Sequence, residues 1–465
     1  MIDTSTLKDK VLDFALRGML TAQCKEDGTA QDLYESIQED KKKLLKEGKI
    51  EKIKLIPITE TDIPYAIPDN WKWIRWGDLS ERIQYGYNAP GKQSGRIKMV
   101  RISDIQDGKV MWDTVPYCDI EEDEIDNYLL HENDILFART GGTVGKSYIV
   151  GDVPEEAVFA GYLIRTSYSD KLCSKYMKYF MESKLYWKQL QNGTVATAQP
   201  NCNGKTLSKM MLPLPPYREQ IRIVDIIDSV FEAIDELQSL QDQYIADRNT
   251  LKSKLIDAAI QGKLTEQLPE DGTAEELFKK IQEEKAILIK EGKIKKEKTE
   301  AAISDTEVPF EIPENWKWVR LCDISYRVWA GGDKPDDFSK KIDEIRKIPV
   351  VANGVSNEGI LGYTSKSTAS KNTITVAGRG TIGFTVLRRY DYCPIVRLIV
   401  IEQSQYIEPR YLQIFLQSMP EASVGSSIPQ LTVPMIKPKL VPLPPLEEQV
   451  RISDRVYKLL EVISE

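Results

Sequence analysis

Apolar residues recur on alternating steps of four and three through the middle of this chain. Ile223, Ile227, Val230, Ile234, Leu237, Tyr244, Leu251, Leu255 and Ala258 fall on one stripe, with Gln241 and Arg248 as polar interruptions. That spacing predicts a long helix whose seam packs on a partner helix as a coiled coil. Pro215-Pro216 bounds the helix on one side, because the proline ring removes an amide N–H and fixes φ. Gly262 bounds it on the other. The segment 216–262 gives at most 46 residues, roughly 69 Å at about 1.5 Å per residue.

The two ends of the chain carry pieces of the same stripe. Ile452, Val456, Leu459 and Ile463 repeat its start 229 residues on, and Leu7, Val11 and Phe14 repeat its end 244 residues back. An apolar stripe needs a partner in water. The pattern therefore predicts N- and C-terminal helices lying together against the central helix, antiparallel to it, in a circular pseudo-twofold. The alternative is two tandem copies that never meet. Gln238 to Asp247 have no counterpart at the termini, so the split seam is shorter than the central one.

Other segments are doubled as well. Ile67-Pro68-Asp69-Asn70-Trp71-Lys72-Trp73 returns as Ile312-Pro313-Glu314-Asn315-Trp316-Lys317-Trp318. Pro213-Leu214-Pro215-Pro216 with Glu219-Gln220 returns as Pro442-Leu443-Pro444-Pro445 with Glu448-Gln449. Gly18 answers to Gly262, and Glu26-Asp27-Gly28-Thr29-Ala30 to Glu270-Asp271-Gly272-Thr273-Ala274. The offset is 245 at Trp71 and Trp316 but 229 at Pro213 and Pro442, so the second insert is 16 residues shorter. The frame is held to a length and the insert is not. Each insert mixes β-branched strands with one amphipathic helix near its end, Tyr176–Phe180 or Tyr411–Phe415. The expected class is α/β (α+β): two similar recognition domains separated by long antiparallel coiled-coil helices. The expected domains are 1–66 (N-terminal helix, charged helix and linker), 67–216 (first insert) and 217–265 (central helix). Then follow 266–311 (charged helix and linker), 312–445 (second insert) and 446–465 (C-terminal helix, pairing with the N-terminal one). The tryptophans of the frame are read as anchors of each domain's first strand.

Composition narrows the function. The chain has 465 residues, 41% of them apolar, and a net charge of −8. It does not coat nucleic acid through charge alone, though local basic grooves stay open. No run approaches the length of a membrane span. No secretion signal is visible, and the six cysteines never form C-x-x-C, so reduced thiols in the cytoplasm are expected. His131 is the single histidine, which argues against zinc fingers or a serine–histidine site shared by both halves. No metal cluster is visible.

Two glycine-rich turns invite a cofactor reading and do not support it. Gly378-Arg379-Gly380-Thr381-Ile382-Gly383 fits G-x-G-x-x-G, but strand-like Phe384-Thr385-Val386-Leu387 follows where a dinucleotide site needs a helix. Thr140-Gly141-Gly142-Thr143-Val144-Gly145-Lys146-Ser147 lacks the first glycine of a phosphate loop and also continues as a strand. What remains are polar turns bearing an arginine. Arg139, Thr140, Gly141, Gly142 and Lys146 in the first insert and Arg379, Gly380 and Thr381 in the second suit base edges and phosphates. An ordinary hairpin with a surface arginine is the alternative for each. Lys98, Arg101 and Ser103, the amides Gln199, Asn201, Asn353 and Gln430, and Lys366 are further candidates. Arg388 and Arg389 read as solvated surface.

The duplicated I-P-x-N-W-x-W and Pro-Leu-Pro-Pro…Glu-Gln segments, with Gln261-Gly262-Lys263-Leu264-Thr265 between them, resemble those of the specificity subunits of type I restriction–modification enzymes. The resemblance covers nearly all of the chain. It implies a non-catalytic subunit with two target recognition domains, each reading one half of a split, asymmetric site on double-stranded DNA. It also implies paired helices that set the spacing and dock two methyltransferase subunits, and leaves open restriction/translocase subunits. S-adenosylmethionine, ATP and Mg are then expected in the partners and no cofactor in this chain. Two other readings stand beside it: a duplicated scaffold binding two partner proteins and no DNA, and a stand-alone methyltransferase, for which acceptor and cofactor motifs are missing.

Overall fold

The computed structural model describes residues 1–106, 108–193, 202–296, 302–419 and 430–464. The chain divides into two compact units, Met1–Asp242 and Gln243–Glu465. Each mixes helix and strand.

In the first unit, Lys72–Arg75 pairs antiparallel with Met211–Leu214, setting Trp73 opposite Pro213. This is a two-stranded ribbon, where a proline can turn its missing donor outward. Between its strands lies a four-stranded sheet in the order Ser80–Tyr85, Leu163–Tyr168, Ile135–Ala138, Ser147–Ile149. All four residues of Ile135–Ala138 are buried, as befits an apolar run covered on both faces. A second sheet places Ile97–Val100 between Tyr117–Cys118, antiparallel, and Ala157–Phe159, parallel. The helix Ser174–Glu182 buries Tyr176, Met177, Phe180 and Met181, one face at helical spacing.

The second unit has the same plan. Lys317–Arg320 pairs with Leu440–Leu443. Its four-stranded sheet runs Ser325–Ala330, Ile399–Gln403, Thr373–Val376, Thr385–Arg388. Ile348–Val351 lies between Ile360–Thr364, antiparallel, and Cys393-Pro394, parallel. The matching helix is Pro409–Ser418. Strands follow both glycine-rich turns, Ser147–Ile149 and Thr385–Arg388.

The doubled motifs meet in one joint per unit. Glu219 is fully buried. It accepts from the Trp71 indole N–H (2.9 Å), the Thr21 hydroxyl (2.8 Å) and the Gln23 amide (2.9 Å). Glu448, also fully buried, accepts from Trp316 (2.8 Å), Thr265 (3.0 Å) and Gln267 (2.9 Å). Gln220 donates to the Pro215 carbonyl (2.9 Å) and accepts from the Cys173 amide (3.0 Å); Gln449 does the same with Pro444 and Glu408 (2.9 Å each). The Tyr176 and Tyr411 hydroxyls donate to the carbonyls of Pro213 (2.7 Å) and Pro442 (2.5 Å). Gly18 and Gly262 both have φ of +69°, and a Cβ there would lie 2.4 or 2.5 Å from the ring of Pro68 or Pro313. Only glycine satisfies both demands. The frame tryptophans Trp71 and Trp316 are thus anchors, as their sequence setting suggests.

The charged helices Ala30–Lys46 and Ala274–Lys290 dock by equivalent side chains. Gln38 and Lys41 donate to the Asp78 carbonyl at 2.8 Å each, and Gln282 and Lys285 to that of Asp323 at 3.0 and 3.2 Å. Burial lowers the Lys41 pKa to about 8.

Tyr217–Ile260 is one helix of 44 residues. In the first unit its start lies beside the helix Thr4–Leu16. The Ile2 amide and the Thr4 hydroxyl donate to the side chains of Gln241 and Gln238, and Lys8 pairs with Asp235, each at 2.6 Å. Ile223, Ile227 and Ile234 are buried, Val230 and Leu237 half-buried. In the second unit Leu255 shares a core with Ile452, Val456 and Leu459. Three seam positions differ from expectation. Phe14 is 45% exposed, Tyr244 54% and Leu251 52%. The terminal helix turns Leu12, Ala15 and Leu16 inward, with Leu7 and Val11 half-buried, because it also faces the insert, where its Asp9 pairs with Lys184 at 3.1 Å. Around Leu251 the polar interruptions thin the apolar stripe.

Glu219→Ala leaves three donors without their acceptor and is expected to cost about 3 kcal/mol of stability, read by urea denaturation with tryptophan fluorescence. A loss below about 1 kcal/mol would remove the carboxylate from its central place. Acid should act through a second doubled pair. Arg222 and Arg451 form 2.5 Å ion pairs with Asp27 and Asp271, whose side chains are 4% exposed. The arginine hydrogen bonds hold both carboxyls below the ordinary 3.8. Their stabilisation is therefore full above the unfolded value and fades as pH falls through the lowered one. Arg222→Gln should flatten the acid limb of a stability–pH curve; an unchanged limb counts against the pair.

Candidate nucleic-acid interface

In the first unit the arginine turn leaves the sheet at Ala138. The Ala138 amide donates to the Lys146 carbonyl and the Gly145 amide to the Ala138 carbonyl, both at 2.9 Å. Gly145 has φ of +90°, and a Cβ there would lie 2.3 Å from Leu190. The Arg139 guanidinium stacks 4.5 Å from the Tyr85 ring centre and donates to the Gly161 carbonyl at 3.4 Å. Thr140 and Gly141 are half-buried, while Gly142 and Lys146 are exposed.

Arg101 gives Nε and Nη2 to Asp104, at 3.0 and 2.7 Å. Asp104 is buried, and this fork raises the Arg101 pKa. Arg101 and Ser103 line a groove of about 500 Å³ with Tyr87, Met99, Gly161 and Tyr162. Arg101, Ser103 and Arg139 thus converge on the turn at Gly161 and Tyr162. Lys98 is committed elsewhere: its ammonium pairs with Glu155 at 2.7 Å, which raises its pKa, and donates to the Trp112 carbonyl at 3.0 Å. Gln199 and Asn201 lie outside the described residues. Asn203 caps the helix Gly204–Lys209, accepting from the Thr206 amide at 3.0 Å.

In the second unit Asn353 ties two turns together. Its Oδ1 accepts from the Gly378 amide and its Nδ2 donates to the Val396 carbonyl, both at 2.8 Å. Arg379 reaches Gln430 at 3.5 Å. Arg379, Gly380 and Thr381 are all exposed. Lys366 is exposed beyond the strand Ile360–Thr364, and no hydrogen bond or ion pair joins it to this group among the described residues. Arg388 is not solvated surface. It is 1% exposed and donates to the Thr375 hydroxyl (3.0 Å) and the Glu358 carbonyl (2.8 Å), because its strand turns it under the sheet.

The two arginine turns correspond with a one-residue difference. The Ala377 amide donates to Phe384 (2.9 Å) and its carbonyl accepts from Gly383 (3.0 Å), so Ala377 takes the place of Ala138. Leu431 donates to the Gly378 carbonyl at 2.9 Å as Cys202 does to that of Arg139 at 3.0 Å. Arg379 therefore stands where Thr140 stands, and Arg139 where Gly378 stands. Adjacent residues project differently, so the two turns present their arginines along different directions. Tyr162, Val396 and Arg397 complete these surfaces and were not singled out by sequence; nothing in their local pattern marks a turn that faces outward.

This duplicated fold of mixed helix and strand defines a class with solved members. A chain from a structure describing complex assembly and conformational transition of the type I R-M system shares the fold, with TM-score 0.63 at 18% identity over 86% of this chain and 93% of that one. The HsdS subunit from Thermoanaerobacter tengcongensis gives 0.51 at 18% identity, over 86% and 92%. The EcoAI type I restriction enzyme specificity subunit of Escherichia coli is 25% identical, over 98% of this chain and 88% of its own length. The family model described as type I restriction modification DNA specificity domain matches residues 68–243 and 313–464. The chain belongs to this family of type I restriction–modification DNA specificity subunits, and the scaffold without DNA is not favoured. Among the described residues no helix is long and apolar enough to cross a membrane.

Arg139→Ala and Arg379→Ala should each weaken binding to the target duplex by about 1–3 kcal/mol, measured by fluorescence anisotropy on the assembled complex. Lys98→Ala should change it far less, since its charge is taken by Glu155. Equal losses from all three would contradict this assignment.

Proposed function

We propose that each insert reads one half of a bipartite, asymmetric DNA site, and that this chain is the non-catalytic specificity subunit of a DNA adenine methyltransferase and restriction complex. The observation that carries this is the pair of units with one strand order and unlike exposed turns. Two different readers on one frame suit two different half-sites. The domains proposed are 67–216 and 312–445 as recognition domains, with 1–66, 217–265, 266–311 and 446–465 as frame.

The long helix and the terminal helices act as an antiparallel coiled-coil spacer in a circular pseudo-twofold. Support comes from the contacts of Ile2, Thr4 and Lys8, which climb one helix as they descend the other, and from the seam cores around Ile223 and Ile452. A helix of 44 residues measures about 66 Å. Readers on one groove face need a separation of roughly 34–36 Å or a multiple, which a stiff helix holds in phase. The exposed apolar side chains of Phe14, Tyr244 and Leu251 suit docking of two methyltransferase subunits. S-adenosylmethionine, ATP and Mg would be held by those partners and by restriction/translocase subunits where present.

Exchanging residues 67–216 for the insert of another family member should alter one half of the methylated motif and leave the other unchanged. Methylome sequencing of cells expressing the complete system reads this directly. A change in both halves contradicts independent reading, and absence of any defined motif contradicts sequence recognition itself.

A further inference from the structure

Each four-stranded sheet receives its second strand from a tight turn at the same place. The Leu163 amide donates to the Ala160 carbonyl at 2.8 Å, and the Leu398 amide to the Ile395 carbonyl at 3.1 Å. Ala160 is fixed by the Val100 carbonyl (2.9 Å) and Ile395 by that of Val351 (2.8 Å). A glycine lies under each turn. A Cβ on Gly86 would sit 2.3 Å from the Ala160 carbonyl oxygen, and one on Gly331 2.6 Å from that of Pro394. The central residues are Gly161-Tyr162 in one unit and Val396-Arg397 in the other. Tyr162 is 65% exposed, Val396 49%, and Arg397 is exposed too.

The second turn is strained. Val396 has φ of +54° and Arg397 of +58°. Asn-Gly fills such a turn at little cost; a β-branched residue there is an outlier. The turn is held by main-chain bonds from Val396 to Gly332 (2.9 Å) and Arg397 to Gly331 (3.1 Å), and by the Asn353 side chain on the Val396 carbonyl. Asn353 also holds Gly378, the neighbour of Arg379. Strain on an exposed tip gives nothing to the core, and such strain gathers where side chains are used. No protein acceptor takes the Arg397 guanidinium among the described residues. In the first unit the turn is likewise bound to its arginine turn, since the Arg139 amide donates to the Tyr162 carbonyl at 3.2 Å. Beside Tyr162 lies Arg101, its plane set by Asp104.

Resting on the DNA-reading function above, we propose that these paired turns are the base readers of the two domains. Arg397 reads the O6/N7 edge of a guanine with the Val396 methyls against the neighbouring base. Tyr162, with Arg101 beside it, reads the other half-site. The arginine turns at Arg139 and Arg379 then brace the readers as well as meeting DNA.

The test is methylome sequencing of cells expressing the full chain with its methyltransferase partners. Arg397→Gly keeps the turn, relieves the strain at position 397 while leaving that at Val396, and deletes the guanidinium. It should lower discrimination roughly tenfold or more at one base position in one half of the motif, with thermal stability equal to or above the parent. Tyr162→Ala should do the same in the other half only. If the parent shows a defined bipartite motif and both variants keep it unchanged, these turns are not the readers and the DNA-reading function stands. A uniform loss at every position, marking a phosphate contact, overturns the proposal equally. A parent without a defined motif overturns the underlying reading instead.

Discussion

A carboxylate buried without donors is among the more expensive groups a fold can carry. Glu219 and Glu448 are fully buried, and each is met by an indole, a hydroxyl and a carboxamide from segments distant in sequence. The cost becomes stabilising only when the loop after one helix, the first strand of the insert and the start of the next helix arrive together. That condition explains why the tryptophan and the Glu-Gln return in the second half with their neighbours. Asn70 and Asn315 belong to it too, their carbonyls accepting from the amides of Ala30 (2.8 Å) and Ala274 (2.9 Å). Everything outside the joint is free to change, provided the insert delivers its two ends to the ribbon.

Much of this frame was legible because it is written twice. The long helix, the two inserts and the anchoring tryptophans follow from periodicity, proline punctuation and repetition, each with a local physical cause. What Glu219 does was not legible, because its donors lie roughly 150 to 200 residues away in sequence. Heptad arithmetic also overreached at Phe14: a helix touching two neighbours buries a broader face than a strict seam, so Leu12 and Leu16 go inward instead. Arg388 was misread because strand alternation does not say which face of a two-layer domain is covered.

The candidate surface was legible only in outline. Arg139 and Arg379 could be found from glycine-rich turns between strands, but their one-residue difference depends on hydrogen-bond register. Lys98 and Arg101 look alike in sequence and differ in the structure. One neutralises Glu155, while the other is held as a fixed plane by a buried aspartate. With a net charge of −8, placement of individual cations matters more here than their number.

The same accounting separates the frame from the exposed turns. The joint lets each unit tolerate unfavourable geometry elsewhere, because stability comes from cores and buried hydrogen bonds remote from the turns. The Val396-Arg397 turn uses that freedom, while Gly161-Tyr162 occupies the same place without positive φ. Two backbones at one location, both clasped to an arginine turn, present different side chains at different angles. A frame that is fixed chemically and a tip that is not are what independent variation of two half-sites requires. If the tips contributed to the core, each new specificity would have to be re-stabilised as well as re-aimed.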